Sequence, residues 1–388
     1  MRVTICCKRF GAGGGAEKFL MNFARCLLGA GHEVKVLAAE FGGETPDVAV
    51  ETFAVPPAPR MLRDWLMARA AERALSGEDA DVTFSDQKCW GADVVRPGGG
   101  VQAEYFKQRH RSRPTPLKRT LSRLKGLLSV RTRLRLYVDD RLYAPPGPAR
   151  VIANSDMVRR HLLKHYPHLR ERVRVVYNGA APDRFHPGLK DEHRAPVRNE
   201  LRIPQKAFAG VFVGTGWERK GLYTFIEALG ILAAEGAPRR AFGVVVGRGN
   251  RHRAERYARS RGALKALRFV GRADPRPYYG AADALVLPSF FDPCANVTLE
   301  ALACGLPVVT SAYNGAYELL TPGEQGYYVE DAADAAGVAE YMKRLMDSDR
   351  LEAASEAARE LALQHTLERQ YRETMDALLP VAETEEPE

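Results

Sequence analysis

Hydrophobic runs near the start of the chain alternate with a glycine-rich segment and a helical pattern. The apolar run 2–7 predicts a buried strand, 11–15 a loop, 17–28 a helix and 33–38 a second strand. This order is that of a βαβ unit, with which a parallel α/β sheet begins. Further short strands are predicted at 48–55, 80–84, 151–154 and 173–177.

A second series of short apolar runs begins after the polar, proline-bearing stretch 186–196, which we interpret as a linker. A helical, alanine-rich region over 331–379, interrupted near His365, ends the chain. We expect an α/β fold with two similar domains, 1–186 and 197–365, and a helix at about 366–380 packing back on the first domain. The strands of the second series are predicted at 208–213, 241–246, 267–270, 284–288 and 307–310.

The composition is that of a globular protein. With 388 residues, 45% hydrophobic and 27% charged, the chain is long enough for two or three domains, and a collagen-like, coiled-coil or mostly disordered chain is excluded. No apolar run reaches the roughly 18 residues of a membrane-spanning helix, and the first is too short for a signal peptide, so a cytoplasmic location is expected. The six cysteines lack metal-binding spacing, which indicates buried thiols rather than a zinc site or a disulfide framework.

Positive charge is concentrated in one part of the chain. The formal net charge is +9, and the stretch 107–135 holds eleven Lys or Arg and no Asp or Glu. On one helical face of this stretch, away from most of its cations, lie Leu117, Leu121, Leu124 and Leu128. Such a helix can rest on an anionic membrane surface, or its leucines can face the protein core. Nucleic acid is disfavoured because Phe106 is the only aromatic residue adjoining the stretch, and stacking needs more.

The first glycine-rich loop has the pattern Gly11-x-Gly13-x-x-Ala16, and Glu40 ends the second strand, as in nicotinamide-binding proteins. The match is weak because residues 8–10 separate the strand from the first glycine. The loop fits better as an approach to a helix N-terminus that favours a negatively charged group. Close packing of a turn is the purely structural alternative.

The second series opens with a similar arrangement. The glycine loop that includes Gly216 leads to Arg219 and Lys220, and an amphipathic helix follows. Both cations are expected at the carboxyl edge of the sheet beside a helix N-terminus, where open α/β folds bind ligands. Arg offers a fork of donors and Lys a point charge, so a diphosphate would fit. Alternatively, they are two solvated cations on a loop.

Two carboxylates lie in the most specific segment of the chain. Asp292 follows a predicted strand, and Glu300 falls about one turn into a helix that begins near Asn296. Buried acids need hydroxyl or N–H donors, which sugars and riboses supply. The backbone N–H groups of Ala295, Asn296 and Val297 are expected to be unpaired at the helix start and available to a phosphate. As isolated acids, the two could equally be a cap and a surface charge.

Taken together, these motifs resemble those of the retaining glycosyltransferases of family 4, and the similarity covers nearly the whole chain. It implies the GT-B fold, in which two Rossmann-like domains face each other across a cleft. Within the family, residues 91–94 and 98–104 are similar to lipopolysaccharide core glucosyltransferase I. The motifs that carry the resemblance are Gly13-Gly-Gly-Ala-Glu17, Val151-Ile-Ala-Asn-Ser155, Val175-Val-Tyr-Asn-Gly179, Arg184-Phe-His-Pro187, Arg219-Lys-Gly221 and the segment from Asp292 to Pro307.

The resemblance implies roles for the candidate residues. The second domain would bind a nucleotide sugar and the first an acceptor. Arg219 and Lys220 would hold the diphosphate, Glu300 the ribose hydroxyls and Asp292 the hydroxyls of the transferred sugar.

Two further sets of residues would surround the same donor. The backbone around Val270 and Gly271 would contact the base. Gly14 and Gly15 would let the first loop approach the donor phosphates.

The chain departs from the family pattern in two places. Asp292 stands where the family usually has Glu, which shortens the side chain by one methylene. Many relatives have a His at the position of Gln102 or an acid early in the first helix, where this chain has Phe19. The acceptor-side catalytic group is therefore unassigned.

The family chemistry implies same-face attack with retention of configuration, in which the departing phosphate accepts the proton of the acceptor hydroxyl. Preorganised cations and N–H groups can stabilise that leaving group, so neither a metal nor another cofactor is expected. UDP-glucose is the expected donor, and a heptose of the lipopolysaccharide core or another lipid-linked glycan is the expected acceptor, used at the inner face of the membrane. The alternatives are a different donor with a soluble acceptor, or an NAD-dependent oxidoreductase.

Overall fold

The computed structural model describes residues 1–11, 15–43, 47–113 and 116–379. The chain divides into two compact units. The first comprises Met1–Glu104, Arg123–Val176 and the segment from Glu368, and the second comprises Tyr105–Ser122 and Tyr177–Leu367.

The first unit is built on parallel strands. They lie at Arg2–Gly11 (β1), Glu33–Gly42 (β2), Ala49–Thr52 (β3), Val82–Ser85 (β4), Val94–Val95 (β5), Arg150–Ala153 (β6) and Val173–Val175 (β7). Within the described residues these strands form one seven-stranded sheet in the order β3-β2-β1-β4-β5-β6-β7. The order reverses direction between β1 and β4, and a crevice at the carboxyl ends of such a pair is where open α/β sheets bind ligands.

The second unit repeats this plan. Its strands lie at Phe208–Val213 (β8), Ala241–Val246 (β9), Leu267–Gly271 (β10), Ala284–Val286 (β11), Val308–Ser311 (β12) and Gly326–Val329 (β13). In the part of the chain described, they form a six-stranded parallel sheet in the order β10-β9-β8-β11-β12-β13. Its switch point lies between β8 and β11. Two parallel, Rossmann-like sheets confirm the predicted α/β fold class.

Helices connect the strands in both units. In the first half of the chain they are Gly15–Gly29 (α1), Arg63–Leu75 (α2), Gln102–Arg111 (α3), Pro116–Leu128 (α4), Val130–Tyr143 (α5) and Asp156–His165 (α6). In the second half they are Leu189–Glu200 (α7), Leu222–Ala234 (α8), Arg251–Ser260 (α9), Arg276–Ala281 (α10), Asn296–Ala303 (α11), Ala335–Arg344 (α12), Ser348–Gln364 (α13) and Leu367–Asp376 (α14). Short 3-10 helices lie at Pro167–Arg172, Leu264–Ala266 and Gly315–Leu319. Among the described residues, no helix has the length and apolar character that a membrane crossing requires.

The strands that form the core of the second unit are the ones the sequence predicts best. Every residue of β8 is buried, as expected for a central parallel strand covered on both faces. The strands β8 and β9 have the predicted bounds. The sequence analysis missed β5, which is only two residues long, and β13, whose pattern begins with a glycine. All six cysteines are described, and Cys26 is exposed, so the expectation of buried thiols is wrong there.

The interpretation of residues 186–196 as a linker is wrong. Residues 189–200 form α7, which is anchored in the second unit by a buried ion-pair cluster. Arg194 and Arg198, one helical turn apart, bind the two carboxylate oxygens of Asp283 at 2.8 and 2.9 Å. Burial opposes the charge of Asp283, but the two guanidinium groups hold its pKa below the ordinary value. A polar sequence with Pro196 hid a helix whose partners lie far along the chain.

The domain bounds differ from those predicted. The units divide between Val176 and Tyr177 rather than at 186, and Tyr105–Ser122, predicted in the first domain, belongs to the second unit. The helix α14 supplies Tyr371, whose ring lies 5.5 Å from that of Phe19 in the first unit.

Candidate active site

The loops that follow β8 and β11 bring together three of the predicted site residues. The two strands are hydrogen-bonded parallel neighbours, so their carboxyl ends share one edge of the sheet. Nζ of Lys220 lies 3.1 Å, and Nη1 of Arg219 3.3 Å, from Oδ2 of Asp292. The cations and the acid therefore form one cluster at the switch point of the second sheet.

Backbone contacts hold these two loops in a defined register. The N–H of Phe290 donates to the carbonyl of Arg219 at 2.8 Å, and the Arg219 guanidinium donates to the carbonyl of Phe291 at 2.6 Å. Gly221 has a φ of +84°, and a Cβ there would lie 1.9 Å from the carbonyl oxygen of Pro288. Any other residue at 221 would push the loops apart, so this glycine sets the distance between cations and acid.

The glycine loop after β8 shapes the approach to Lys220. Gly216 has a φ of +72°, and its carbonyl accepts the N–H groups of Arg219 and Lys220 at 2.9 and 3.1 Å. The sequence analysis missed two other glycines. A Cβ on Gly214 would lie 2.6 Å from Cδ of Lys220, and a Cβ on Gly247 would lie 2.1 Å from the carbonyl oxygen of Gly214. Their places directly after predicted strands were the available signal.

The electrostatics of Asp292 favour the carboxylate. Burial disfavours its charge, but Lys220 and then Arg219 outweigh burial and hold its pKa below the ordinary value. Its own backbone is fixed as well, because its N–H donates to the carbonyl of Tyr313 at 2.8 Å. Asp292 is thus a buried, charged acceptor of hydrogen bonds beside two cations.

Glu300 lies on α11 and has a partner that the sequence did not indicate. The hydroxyl of Tyr279 on α10 donates to Oε2 of Glu300 at 3.0 Å, and Tyr279 is 1% exposed. Burial raises the pKa of Glu300, while Tyr279, Arg184 and Lys220 act in the opposite direction. Glu300 is therefore within electrostatic reach of Lys220. No feature of the sequence around Tyr279 singles it out.

The start of α11 differs from the expectation. Asn296 and Val297 are the first residues of the helix, so no carbonyl of the helix precedes them to accept their N–H groups. The N–H of Ala295, however, donates to Oδ1 of Asn314 at 3.1 Å, so the prediction that it is unpaired is wrong. The side chain of Asn296 accepts a bond from Asn178 at 2.6 Å. The buried Asn314, in the loop after β12, thus occupies the N–H of Ala295, the first of the groups predicted to bind a phosphate.

The region predicted to contact the base lies at the same edge of the sheet. Val270 is partly buried near the end of β10 and packs on the core of the second unit. The N–H of Gly247 donates to the carbonyl of Gly271 at 2.6 Å, which ties the ends of β9 and β10 together. Gly214, Gly247 and Gly271, at the ends of β8, β9 and β10, thus form a shelf of glycines, of which Gly214 contacts Lys220.

Only part of the first glycine loop lies within the described residues. Gly14 lies outside the described residues, and Gly15 is the first residue of α1. Glu40, which a nicotinamide site would need for ribose, is half exposed and pairs with Arg9 at 2.5 Å. The acid of that weak fingerprint therefore already has a surface partner.

The basic stretch 107–135 divides into two parts. Arg111 binds Asp331 at 3.0 Å and the hydroxyl of Tyr313 at 2.8 Å, and Arg113 pairs with Glu218. The leucine stripe of α4 does not face a core, because its four leucines are 46 to 77% exposed: Leu117, Leu121, Leu124 and Leu128. The alternative prediction, that these leucines face the protein core, is therefore wrong.

Family models match both units. Residues 13–184 match the model "Glycosyltransferase Family 4", and residues 207–348 match "Glycosyl transferases group 1". The second match contains the cluster of Arg219, Lys220 and Asp292 together with Glu300. The chain is a family 4 glycosyltransferase of the GT-B fold. The oxidoreductase alternative is wrong.

Individual relatives agree with this assignment. The glycosyltransferase is 26% identical over 346 residues to lipopolysaccharide glucosyltransferase WaaG of Escherichia coli, covering 88% of this chain and 86% of that one. It is 29% identical over 215 residues to D-inositol 3-phosphate glycosyltransferase of Streptomyces avermitilis, a match over 53% of this chain and only 46% of that enzyme. The match thus spans about half of the latter relative's length.

Solved structures show the fold. The crystal structure of WaaG superposes with a TM-score of 0.78 at 23% identity, covering 98% of this glycosyltransferase and all of WaaG. Anabaena HepE in complex with UDP and glucose superposes with a TM-score of 0.70 at 19% identity, covering 97% and 98%. The expected resemblance to a lipopolysaccharide core glucosyltransferase is confirmed.

Proposed function

We propose that this glycosyltransferase moves glucose from UDP-glucose, with retention of configuration, to a lipid-linked acceptor of the lipopolysaccharide core type. The observation that carries the proposal is the cluster of Arg219, Lys220 and Asp292 at the switch point of the second sheet, with Glu300 in electrostatic reach. One pocket edge thus offers cations for a diphosphate and acids for hydroxyl groups.

Each part of the donor has a matching group. The diphosphate replaces Asp292 as the partner of Lys220 and Arg219, which releases the carboxylate to accept hydrogen bonds from sugar hydroxyls. Glu300 accepts from the ribose, held in place by Tyr279. The base lies toward the shelf of glycines at the ends of β9 and β10, near Val270.

The two cations supply the chemistry. Negative charge develops on the diphosphate as the glycosidic bond to the donor breaks, and preorganised cations stabilise it without reorganisation. Lys220 is held by the cluster before the donor arrives, and its stem lies across Gly214. The leaving phosphate accepts the proton of the attacking hydroxyl on the same face, which gives retention. No metal is required, since the cations of the protein do this work.

The relatives support the donor and the acceptor. HepE was crystallised with UDP and glucose, and WaaG is named a lipopolysaccharide glucosyltransferase. These names favour UDP-glucose and a lipopolysaccharide acceptor. The accepting sugar that the sequence resemblance implies is a heptose. The matches to D-inositol 3-phosphate glycosyltransferases favour a second candidate, transfer to a soluble phosphorylated polyol.

A thermal-shift panel of UDP-, GDP- and ADP-sugars tests the donor. We expect UDP-glucose to raise Tm most, because a ligand stabilises the folded state by RT ln(1 + [L]/Kd). UDP alone should give a smaller shift, since it lacks the hydroxyls that Asp292 binds. A larger shift with a GDP- or ADP-sugar would contradict the donor assignment.

The exposed leucine stripe supports a peripheral position on the inner face of the membrane. Leu117 and Leu128 are 71% and 77% exposed on a helix that also carries Arg119, Arg123 and Lys125. Apolar side chains on one face and cations beside them suit an anionic bilayer surface. A lipid-linked acceptor would be met there.

Vesicle co-sedimentation tests this surface. We expect the double variant Leu117→Ser/Leu128→Ser to bind anionic vesicles about 100-fold more weakly, since each exposed leucine would lose its burial in the bilayer. The matched control is Leu363→Ser, which removes a leucine that is 50% exposed on α13. Equal binding by both variants would contradict the membrane assignment.

A further inference from the structure

The first unit has a polar edge of its own, at the switch point of its sheet. The strand β4 lies beside β1, where the strand order reverses, and Asp86 directly follows β4. Its position in the first sheet matches that of the Asp292 loop in the second sheet, where β11 lies beside β8. Ligands bind at the carboxyl ends of such strands. Asp86 is thus a carboxylate at a ligand-binding position outside the donor cluster.

Asp86 is buried without a hydrogen-bond partner on one oxygen. Asp86 is 7% exposed. In the part of the chain that the structure describes, no group donates a hydrogen bond to its Oδ1. Such an oxygen costs free energy when it is removed from water, and folded proteins rarely retain one without a use. The orphaned oxygen itself points to a ligand hydrogen-bond donor.

Other buried acids of the first unit are satisfied. Asp139 binds the backbone N–H of Gln102 at 2.8 Å and also pairs with Lys88. Glu104, which is 4% exposed, accepts a hydrogen bond from Nζ of Lys164 at 2.6 Å. These acids hold loops and strand ends in place. Asp86 differs because its Oδ1 accepts no hydrogen bond from a described residue and so holds no loop or strand end in place.

The groups around Asp86 bring the pKa of its carboxyl close to neutral pH, between the protonated and the ionised form. Burial raises its pKa to about 7, Arg96 acts against burial, and Glu17 on α1 adds to it. The thiols of Cys6 and Cys7 on β1 are also in electrostatic reach of Asp86. Arg96 is placed there because its N–H donates to the carbonyl of Ser85 at 2.7 Å, which continues the pairing of β4 with β5. A fraction of the carboxyl is therefore ionised at neutral pH.

We propose that Asp86 binds the acceptor, by accepting a hydrogen bond from a hydroxyl group of the acceptor sugar. The inference rests on the proposed function, in which two substrates must be held and the second unit already holds the donor. It fills the gap left on the acceptor side, where the chain has Gln102 and Phe19. Phe19 cannot serve, since its ring lies against Arg96 at 4.4 Å and beside Tyr371.

Acceptor kinetics of Asp86→Asn test this proposal. The assay uses saturating UDP-glucose and lipopolysaccharide whose core ends in a heptose. We expect kcat/KM for the acceptor to fall about 10- to 100-fold, as for loss of a hydrogen bond to a charged group. The affinity for UDP should stay unchanged, and Tm should stay the same or rise, because a buried orphaned carboxyl is replaced by a neutral amide. In the unmutated enzyme kcat/KM for the acceptor should rise through pH 7 as the carboxyl of Asp86 ionises, and this limb should be absent in Asp86→Asn.

Asp93→Asn is the control. Asp93 is an exposed acid directly before β5, the strand beside β4, and it accepts hydrogen bonds from the N–H and the hydroxyl of Thr83 at 2.9 and 2.7 Å. This variant should lower Tm and leave kcat/KM for the acceptor unchanged. If Asp86→Asn instead lowers Tm and UDP affinity together, or leaves acceptor kinetics unchanged, the proposal is overturned. An unmutated enzyme that does not bind UDP would overturn the proposed function, and this inference with it.

Discussion

Replacing Lys220 by alanine is expected to lower kcat by about 100-fold or more, as for loss of one preorganised transition-state contact. The Nζ group lies 3.1 Å from Asp292, so the cluster holds it in place before the donor binds. In the proposed site, the charge that develops on the leaving diphosphate would then be stabilised by Arg219 and the start of α11 without the lysine. Initial rates at saturating donor and acceptor measure the loss.

The control for this variant is Lys343→Ala, which removes a lysine of the second unit whose contact with Glu235 is long, at 3.9 Å, and exposed. It should keep normal turnover, because an exposed pair contributes little. A near-normal kcat for Lys220→Ala would show that the diphosphate is held elsewhere. An unfolded variant is recognised by its Tm, and Lys220→Met, which keeps the stem over Gly214, then replaces it.

Replacing Asp292 by alanine is expected to separate nucleotide binding from transfer. kcat/KM should fall by about 100-fold, since the carboxylate no longer accepts hydrogen bonds from the hydroxyls of the transferred sugar. The affinity for UDP should be kept or should increase, because Lys220 and Arg219 lose the acid with which a diphosphate competes. Calorimetric titration with UDP and initial rates with UDP-glucose measure the two effects.

Asp292→Glu is the informative companion to this variant. It restores the acid that the family usually carries and lengthens the side chain by one methylene. We expect it to keep far more activity than Asp292→Ala, since the carboxylate still reaches the same cluster. Weaker UDP binding in Asp292→Ala would contradict the competition for the cations and assign Asp292 a structural role.

Apart from β13, the second unit follows closely from its sequence because its strands are apolar and separated by clear turns. β8 and β9 could be predicted to the residue, since a fully buried strand needs an uninterrupted apolar run. The candidate site could be predicted as well, because Arg219, Lys220 and Asp292 lie on the loops that follow β8 and β11, two strands that are adjacent in a parallel sheet.

Other features depended on partners that are distant in sequence. The helix α7 was mistaken for a linker because its polar face is completed by Asp283, 85 positions after Arg198. Ala295 was expected to offer a free N–H, but Asn314 approaches it from the loop after β12. Tyr279 escaped notice because its contact with Glu300 exists only once α10 and α11 pack together. The local sequence pattern around one residue of such a pair does not indicate the other residue.

The amino-acid sequence by itself determined the two parallel α/β sheets, the family and the residue types of the candidate donor site, because periodicity and glycine, lysine and acid spacing are local properties of the chain. Tertiary structure alone decided which of these groups are charged, paired or left over. It placed the leucines of α4 on the surface, gave Asp292 its two cations and left an oxygen of Asp86 without a bond within the described residues. Burial and long-range electrostatics arise only when distant segments pack, so no reading of the chain in one dimension contains them.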